Sequence, residues 1–371
     1  MKALENIKIL LLSDTSSEHT EKWALGLADK GFKIGLFSFN KASYEWYKHK
    51  NITVFFEPEK KINAEGTLTK LSYVKYVSSL KKILGIFKPD ILHAHYATSY
   101  GLLGALSGFK PYILSVWGAD VYEFPTKSKL HKRLFRYNLK KASVIMSTSF
   151  VMREEIKKYT SKEVVVTPFG VDVTEFSNKP SLIKEENCIY IGTIKPIEEK
   201  YGIVYIIEAA ALVIKNNPKL KFKFMLIGSS SNLEHYKSLI HARKLDAYFE
   251  VTGRVPFSEI SAYHNLLDIF LNVSIENSES FGVATVEAMA CENPVIVTDV
   301  GGLMEVVNNG EFGIVIPKKD SKGMADAINY LINNKTFARE LGLKARQNVL
   351  AKYNWESNLE LMINEYKKLI S

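Results

Sequence analysis

Two glutamates in the last third of the chain, Glu279 and Glu287, have the residue type and spacing to bind a polar ligand. Seven residues separate them, and Phe281-Gly282 lies in between. The apolar run 268–273 predicts a buried parallel strand before them, and 283–291, rich in Ala, Val and Met, predicts a helix. Free N–H groups at that helix start favour anions, so the arrangement suits a ligand with phosphates and many hydroxyls, such as a nucleotide sugar. The alternative is a pair of solvated acids stabilised by the helix dipole.

The residues after the glutamates predict a doubly wound sheet. Pro294-Val-Ile-Val-Thr-Asp leads to Gly301-Gly302, and a second β-branched run, 313–317, starts at Gly and ends at Pro. Such short runs mark tight βα turns. Together with the glutamate pair, Glu305 and Gly313, the stretch 251–317 resembles the signature region of the family-four retaining glycosyltransferases, which have the two-domain GT-B fold.

The resemblance implies roles for the donor-binding residues. It assigns Glu287 to the ribose hydroxyls and Glu279 to the sugar ring of a nucleotide-sugar donor. It assigns the backbone N–H groups around Phe281, Gly282 and Val283 to the sugar and phosphates. Gly282 has no side chain to block that approach.

A diphosphate leaving group also needs cations, and the segment from Gly192 to Gly202 stands where the family has Gly-Arg and later Lys-Gly. Here Thr193 occupies the arginine position, and Tyr201 separates Lys200 from Gly202. Lys200 is therefore the first choice for the diphosphate, and Lys195 is a candidate substitute for the missing arginine. The alternative is that Lys195 and Lys200 are solvated surface lysines without a role in binding. The resemblance implies a reaction without a metal or other cofactor.

Two further motifs follow predicted strands in the first half: His93-Ala-His95 and Trp117-Gly118-Ala-Asp120. Histidines two apart on a strand share a face, which would suit zinc, but no third ligand is apparent. The alternative is a core or edge histidine. The family often has His-Gly where this chain has Trp117-Gly118, so Asp120 and His95 are the candidates for positioning the acceptor. Retaining members generally lack an obvious nucleophile, which implies catalysis by positioning and electrostatic stabilisation.

Alternating strands and helices predict two parallel α/β sheets. We expect a Rossmann-like acceptor domain over 1–172, a polar linker over 173–186 and a Rossmann-like donor domain over 187–352. The GT-B resemblance implies that the two domains face each other across a cleft, and that a closing helix over 353–371 returns to the first domain.

Composition narrows the class of protein. The 371 residues carry two cysteines, neither in a metal-binding or redox motif, which is typical of a reduced, cytoplasmic protein. No apolar run reaches the roughly 18 residues needed to cross a bilayer. The net charge of +9 is uneven: residues 1–180 hold 28 basic against 17 acidic residues, a net of +11, so the remainder carries −2. We therefore expect the N-terminal half to meet an anionic partner.

The basic excess is concentrated between Lys127 and Lys141, a segment with helical spacing whose apolar side is Leu130, Leu134 and Phe135. It is either an ordinary solvated helix or a contact for anionic lipid head groups or a lipid diphosphate. Nucleic acid is not expected, since no binding motif is present.

Taken together with these patterns, the resemblance implies a metal-independent retaining hexosyltransferase, peripheral on the inner face of the cell membrane. It would move a hexosyl or N-acetylhexosaminyl group from a UDP-linked donor to a lipid-linked glycan, for surface polysaccharide or lipopolysaccharide. The alternatives are another GT-B enzyme, either an epimerase or a soluble sucrose- or glucan-forming synthase, and a non-catalytic partner subunit. A dehydrogenase is disfavoured because Ser13-Asp-Thr-Ser-Ser, not Gly-x-Gly-x-x-Gly, follows the first strand.

Overall fold

The computed structural model describes residues 4–42, 44–56, 72–179 and 182–370. It divides into two compact units. The N-terminal unit consists of Met1–Pro168 together with Asn358–Ser371, and the C-terminal unit is Phe169–Ser357. The predicted domain limits, 172 and 353, differ from these boundaries by a few residues.

The N-terminal unit is built on a parallel sheet of seven strands in the order β3-β2-β1-β4-β5-β6-β7. Apolar side chains of the central strands, among them Leu10, Leu92, Leu114 and Ile145, form its core. The strands are β1 (Lys8–Leu12), β2 (Lys33–Ser38), β3 (Ile52–Phe56), β4 (Ile91–His95), β5 (Tyr112–Val116), β6 (Val144–Ser147) and β7 (Val164–Val166).

Two helices of this unit begin at a serine whose side chain caps the helix start. The Ser128 and Ser149 side chains accept hydrogen bonds from the backbone N–H groups of His131 and Met152, satisfying donors that a helix start leaves free. The helices are Glu18–Asp29, Val77–Phe87, Ser99–Ser107, Ala119–Tyr122, Lys129–Lys141, Phe150–Lys157 and Trp355–Ile370, the last of which belongs to this unit from Asn358 onward. The helical apolar period of 71–87 predicts one helix, and the structure has instead a 3₁₀ turn, Ser72–Tyr76, followed by the helix Val77–Phe87. Leu71 lies outside the described residues.

The C-terminal unit repeats the architecture with six parallel strands in the order β10-β9-β8-β11-β12-β13. Ile191, Phe224, Leu271 and Ile296 lie in its core. The strands are β8 (Cys188–Ile194), β9 (Lys221–Ile227), β10 (Phe249–Gly253), β11 (Ile269–Asn272), β12 (Val295–Thr298) and β13 (Ile314–Ile316). The helices are Ile203–Asn216, Leu233–Ala242, Phe257–Leu266, Val283–Ala290, Gly301–Val306, Ser321–Asn333 and Lys335–Lys352. No helix in the described part of the chain is long and apolar enough to cross a membrane.

Each sheet reverses its strand order once, between β1 and β4 and between β8 and β11. In open parallel sheets, ligands bind outside the carboxyl ends of the strands at such a reversal. Lys195 directly follows β8, and the loop 273–282 that carries Glu279 follows β11. The fold therefore brings these two predicted site segments to the same edge of one sheet.

Candidate active site

A chain of hydrogen-bonded, buried polar side chains holds the loop 273–282, which follows β11, in place. The Asn272 amide donates to Thr285 Oγ1 at 2.8 Å, and the Ser274 hydroxyl lies 3.0 Å from Asn272 Oδ1 and 3.4 Å from Glu279 Oε2. Thr298 Oγ1 donates to the Ser274 carbonyl oxygen. These groups tie the loop to β11, β12 and the helix Val283–Ala290, because buried polar groups are stable only when paired. The carboxylate of Glu279 thus has a defined position.

Two glycines let the backbone segments around this loop approach one another. Gly282 caps the helix Val283–Ala290 with a left-handed φ of 82°, and a Cβ there would lie 2.5 Å from a methyl of Leu303. At Gly302 a Cβ would lie 2.3 Å from the carbonyl carbon of Ser280 and 2.5 Å from the carbonyl oxygen of Glu279. Only glycine permits this contact. The first N–H groups of the helix, which have no partner within it, therefore start directly beside the glutamate loop.

Lys195 forms an ion pair with Glu279. Its ammonium Nζ lies 2.6 Å from Glu279 Oε2, and the two side chains are only 12% and 11% exposed. Lys200 is 43% exposed and lies 3.4 Å from Glu198 Oε2. The ring of Tyr201 contacts both cations, with its centroid 4.9 Å from Lys195 Nζ and 5.0 Å from Lys200 Nζ. The structure therefore brings the ammonium of Lys195 to Glu279, whereas Lys200 meets the loop through its backbone, its carbonyl oxygen accepting from the N–H of Ile275 at 2.9 Å.

Glu287 lies in the second turn of its helix and is nearly buried. Its Oε2 is 3.4 Å from Nε2 of His264, and the two side chains are 10% and 0% exposed. The side chain of Phe281 is also buried, with ring contacts to Phe169 and Tyr353 at 6.1 and 5.3 Å. Phe281 can therefore offer a ligand only its backbone, which is the group that the resemblance implies.

In the N-terminal unit, the two histidines of β4 take part in separate hydrogen bonds. His93 is fully buried, with Nδ1 2.7 Å from the Tyr366 hydroxyl and Nε2 2.7 Å from Ser115 Oγ. His95 Nδ1 lies 3.0 Å from Ser13 Oγ. Both ring nitrogens of His93 are thus occupied by hydroxyl partners, an arrangement that fits the core-histidine alternative. Among the described residues, no three His, Cys, Asp or Glu side chains are grouped to hold a metal.

His95 is the histidine at the end of β4, beside Trp117, whose ring centroid is 4.8 Å away. Burial lowers the pKa of the His95 imidazole to about 3, with a further contribution from His19. The ring is therefore neutral at physiological pH and can act as a hydrogen-bonding group without charge.

Asp120 is completely buried and organises the backbone around it. Its Oδ2 accepts from the N–H of Ala97 at 2.7 Å, and its Oδ1 accepts from those of Trp117 and Gly118 at 3.1 and 2.8 Å. Burial raises the pKa of the carboxyl, whereas the backbone donors lower it. The bond to Ala97 joins the loop after β4 to the loop after β5, and the other two order the loop after β5 itself, so Asp120 shapes this edge of the sheet.

The basic segment forms the helix Lys129–Lys141, and Lys127 precedes its cap. All seven basic side chains of 127–141 are exposed, while Phe135 is buried and Leu134 is half-buried. Leu130 was expected on the packed apolar side, and this expectation is wrong: its side chain is 54% exposed. The next residue, His131, is buried against Phe124 and occupies the packed side of the helix at this turn. The exposed face is therefore basic with one apolar side chain near its start.

Comparison with known protein families decides the identity of the chain. The family model described as "Glycosyl transferase 4-like" matches residues 8–149, and the one described as "Glycosyl transferases group 1" matches residues 172–348. The two matches cover most of both units. The chain belongs to this glycosyltransferase family. The resemblance found in the sequence is thereby confirmed.

Relatives of this glycosyltransferase extend over most of its length. An uncharacterized glycosyltransferase of Methanocaldococcus jannaschii is 27% identical over 357 residues, 95% of this chain and 93% of the relative. A putative teichuronic acid biosynthesis glycosyltransferase of Bacillus subtilis is 26% identical over 293 residues, 75% of this chain and 70% of the relative.

Solved structures confirm the GT-B fold. Sucrose-phosphate synthase from Thermosynechococcus elongatus has a TM-score of 0.84 at 19% identity, covering 98% of this chain and 99% of that one. The Anabaena protein HepE in complex with UDP has a TM-score of 0.79 at 16% identity, covering 98% and 100%.

Sequence patterns did not identify two polar residues beside the glutamates of this glycosyltransferase, His264 and Ser274. His264 sits near the end of the helix Phe257–Leu266 without a partner at motif spacing, and Glu287 is 23 residues away. Ser274 reads as an ordinary loop residue after β11. Its one sequence signal is that Asn272 and Ser274 are polar residues at the end of an otherwise apolar strand.

Proposed function

We propose that this glycosyltransferase transfers a hexosyl or N-acetylhexosaminyl group from a UDP-linked donor to a lipid-linked glycan, with retention of anomeric configuration and without a metal ion. The product would be a surface polysaccharide or lipopolysaccharide. The observation that carries the proposal is the arrangement beside the start of the helix Val283–Ala290, where Lys195, Glu279 and the free N–H groups meet. A cation and backbone donors suit a diphosphate, and carboxylates suit hydroxyls.

In this proposal the donor is held by the C-terminal unit. Glu287 accepts hydrogen bonds from the ribose hydroxyls, and Glu279 accepts from hydroxyls of the sugar ring. The backbone N–H groups of Phe281, Gly282 and Val283 donate to the sugar and phosphates. UDP as the nucleotide is supported by its presence in HepE, and a polysaccharide acceptor by the relative assigned to teichuronic acid biosynthesis.

The reaction proposed is a substitution on one face of the sugar. The bond from the anomeric carbon to the diphosphate oxygen breaks, the bond to the acceptor oxygen forms, and the acceptor proton passes to the leaving diphosphate. Lys195, Lys200 and the helix start stabilise the charge that develops on the diphosphate. His95 positions the acceptor, and Asp120 maintains the loops around it.

Turnover should be visible as release of UDP that requires an acceptor and persists in EDTA. With a UDP-sugar and a lipid-linked glycan acceptor, we expect UDP release to follow acceptor concentration, because transfer consumes both substrates. Activity in excess EDTA should stay within about twofold, since cationic side chains and helix N–H groups supply the charge stabilisation. A coupled assay for UDP measures both, and NMR of the product gives the anomeric configuration.

Donor turnover without any acceptor would instead favour an epimerase. Loss of activity in EDTA that a divalent ion restores would contradict the metal-free mechanism. A protein that binds UDP-sugars but never turns them over would be the non-catalytic partner subunit.

Lys195→Ala should lower kcat/KM by about tenfold, because the ammonium makes charge-assisted hydrogen bonds and is shielded from solvent. Lys200→Ala should lower kcat/KM by no more than about threefold, because the Lys200–Glu198 ion pair is exposed. The family motif favours Lys200 for the diphosphate, but of these two lysines it is Lys195 whose ammonium contacts Glu279, at 2.6 Å. Steady-state kinetics on the two variants measures the order. A larger loss for Lys200→Ala would restore the order that the motif predicts.

A lipid-linked acceptor lies in the membrane, so the proposed enzyme would work in the cytoplasm, on the inner face of the cell membrane. The helix Lys129–Lys141 and Lys127 present seven exposed cations on the N-terminal unit, which fits binding to anionic lipid without a spanning helix.

A further inference from the structure

The imidazole of His264 is fully buried inside the C-terminal unit, where a histidine has to satisfy two polar nitrogens. Its ring packs against Phe270 and Phe176, with centroids 5.2 and 6.0 Å away. Its backbone is anchored as well, because its carbonyl oxygen accepts from the Asn293 amide at 2.7 Å. The ring is therefore held in one place by packing and by its own backbone.

The contacts of the two ring nitrogens assign the proton. Nε2 lies 3.4 Å from Glu287 Oε2, whereas Nδ1 is buried without a hydrogen-bond partner. Nδ1 has no partner in either tautomer, but with the proton on Nδ1 the Nε2 lone pair would also face a carboxylate, which costs further free energy. The Nε2–H tautomer replaces that repulsion by a hydrogen bond, so His264 donates to Glu287.

This contact has a consequence for the other oxygen of the carboxylate. Among the residues that the structure describes, His264 supplies the one side-chain hydrogen bond to Glu287, and that bond uses Oε2. The Glu287 side chain is 10% exposed, so its free rotation is limited and Oε1 is left to accept from a ligand. At 3.4 Å the bond is long for N–H···O, and it acts mainly by orientation.

We propose that His264 is a positioning residue that orients Glu287 toward the ribose of the donor. The inference rests on the proposed ribose role of Glu287 and adds the group that prepares this carboxylate before the donor arrives. A group held in place by buried neighbours loses little conformational freedom on binding. The expected signature is therefore in recognition of the ribose hydroxyls, and not in folding.

The test compares UDP with 2′-deoxy-UDP by isothermal titration calorimetry. Wild type should prefer UDP by about tenfold, as the loss of one charge-assisted hydrogen bond implies. His264→Phe keeps the ring volume without a donor, and it should reduce that preference to about threefold or less, since an unoriented carboxylate pairs less well. His264→Gln, whose amide can again donate, should recover most of the preference. Phe270→Leu is the matched control: it loosens the packing around the same ring and should lower Tm while leaving the preference intact.

The outcomes separate the inference from the function on which it rests. If Glu287→Ala abolishes the preference for UDP and His264→Phe retains it, the positioning role is wrong and the ribose role stands. If Glu287→Ala also retains it, or wild type shows no preference, the ribose role itself is wrong. Should His264→Phe fail to fold by circular dichroism, His264→Met, which also lacks a donor and is more flexible, replaces it in the same comparison.

Discussion

Replacing Lys132, Arg133 and Arg136 together by glutamate will abolish binding of this glycosyltransferase to anionic liposomes. All three side chains are exposed on the helix Lys129–Lys141. Each replacement removes one positive charge and adds one negative charge. Since a basic residue near an anionic surface contributes about 1 kcal/mol, the triple change should lower the partition coefficient by roughly three orders of magnitude or more at low salt. Wild type should bind in a salt-sensitive manner, because charges at a surface are screened.

A flotation assay with phosphatidylserine-containing and neutral liposomes measures this difference. The matched control changes Lys215, Lys219 and Lys221, three exposed lysines of the C-terminal unit, to glutamate. It produces the same change in net charge, so it should retain most binding if the basic helix itself meets the lipid. Leu130→Ser adds a separate arm, because the 54% exposed leucine should contribute apolar contact that survives high salt. Equal partitioning of wild type and the triple variant would make the segment an ordinary solvated helix.

Glu287→Ala will weaken binding of UDP by roughly 10- to 100-fold, the equivalent of about 1.5–3 kcal/mol for a hydrogen bond to a charged group. The carboxylate is nearly buried, and among the described residues its one side-chain hydrogen-bond partner is the His264 ring. Its other oxygen is therefore available to the ribose hydroxyls. Isothermal titration calorimetry with UDP measures the change directly.

Two variants show whether the carboxylate of Glu287 is responsible. Glu287→Gln keeps the shape but loses the charge, so its affinity should fall between wild type and the alanine variant. Glu276→Ala removes an exposed acid from the loop 273–282, which precedes the helix of Glu287, and should leave UDP affinity unchanged. Unaltered binding by Glu287→Ala would remove Glu287 from the donor site.

Much of the fold and the family could be predicted from local patterns in the sequence. The sequence pattern predicts strands over 33–38, 112–116 and 144–147 and a helix over 203–216, and these are the limits of β2, β5, β6 and the helix Ile203–Asn216. The ends of a short buried strand can be predicted from the sequence, because a parallel strand needs a continuous apolar run and the βα turn after it needs glycine or polar residues. The glutamate pair and its glycines could likewise be recognised in the sequence, because the helix start that they flank is formed by residues close together in the chain.

The partners of the site residues were decided only by tertiary structure. Lys195 and Glu279 are 84 residues apart. The family motif favoured Lys200, whose ammonium lies beside Glu198 in the structure. Asp120 was a candidate for the acceptor and proves to bind three backbone N–H groups from two loops. Adjacent strands in a parallel sheet come from distant parts of the chain, so the groups that meet at their ends have no fixed spacing in sequence.

Distance in sequence also explains why no sequence pattern identified Tyr366 and His264 as partners of site residues. Tyr366 meets His93 across 273 residues, because the last helix from Asn358 onward is part of the N-terminal unit. His264 meets Glu287 because the helix Phe257–Leu266 ends beside the helix Val283–Ala290. Sequence by itself indicated which residues are candidates for binding a nucleotide sugar and on which elements they lie. The packing of those elements determined which cation faces which carboxylate, and which buried ring holds Glu287 in place, since only close packing turns residues distant in sequence into neighbours.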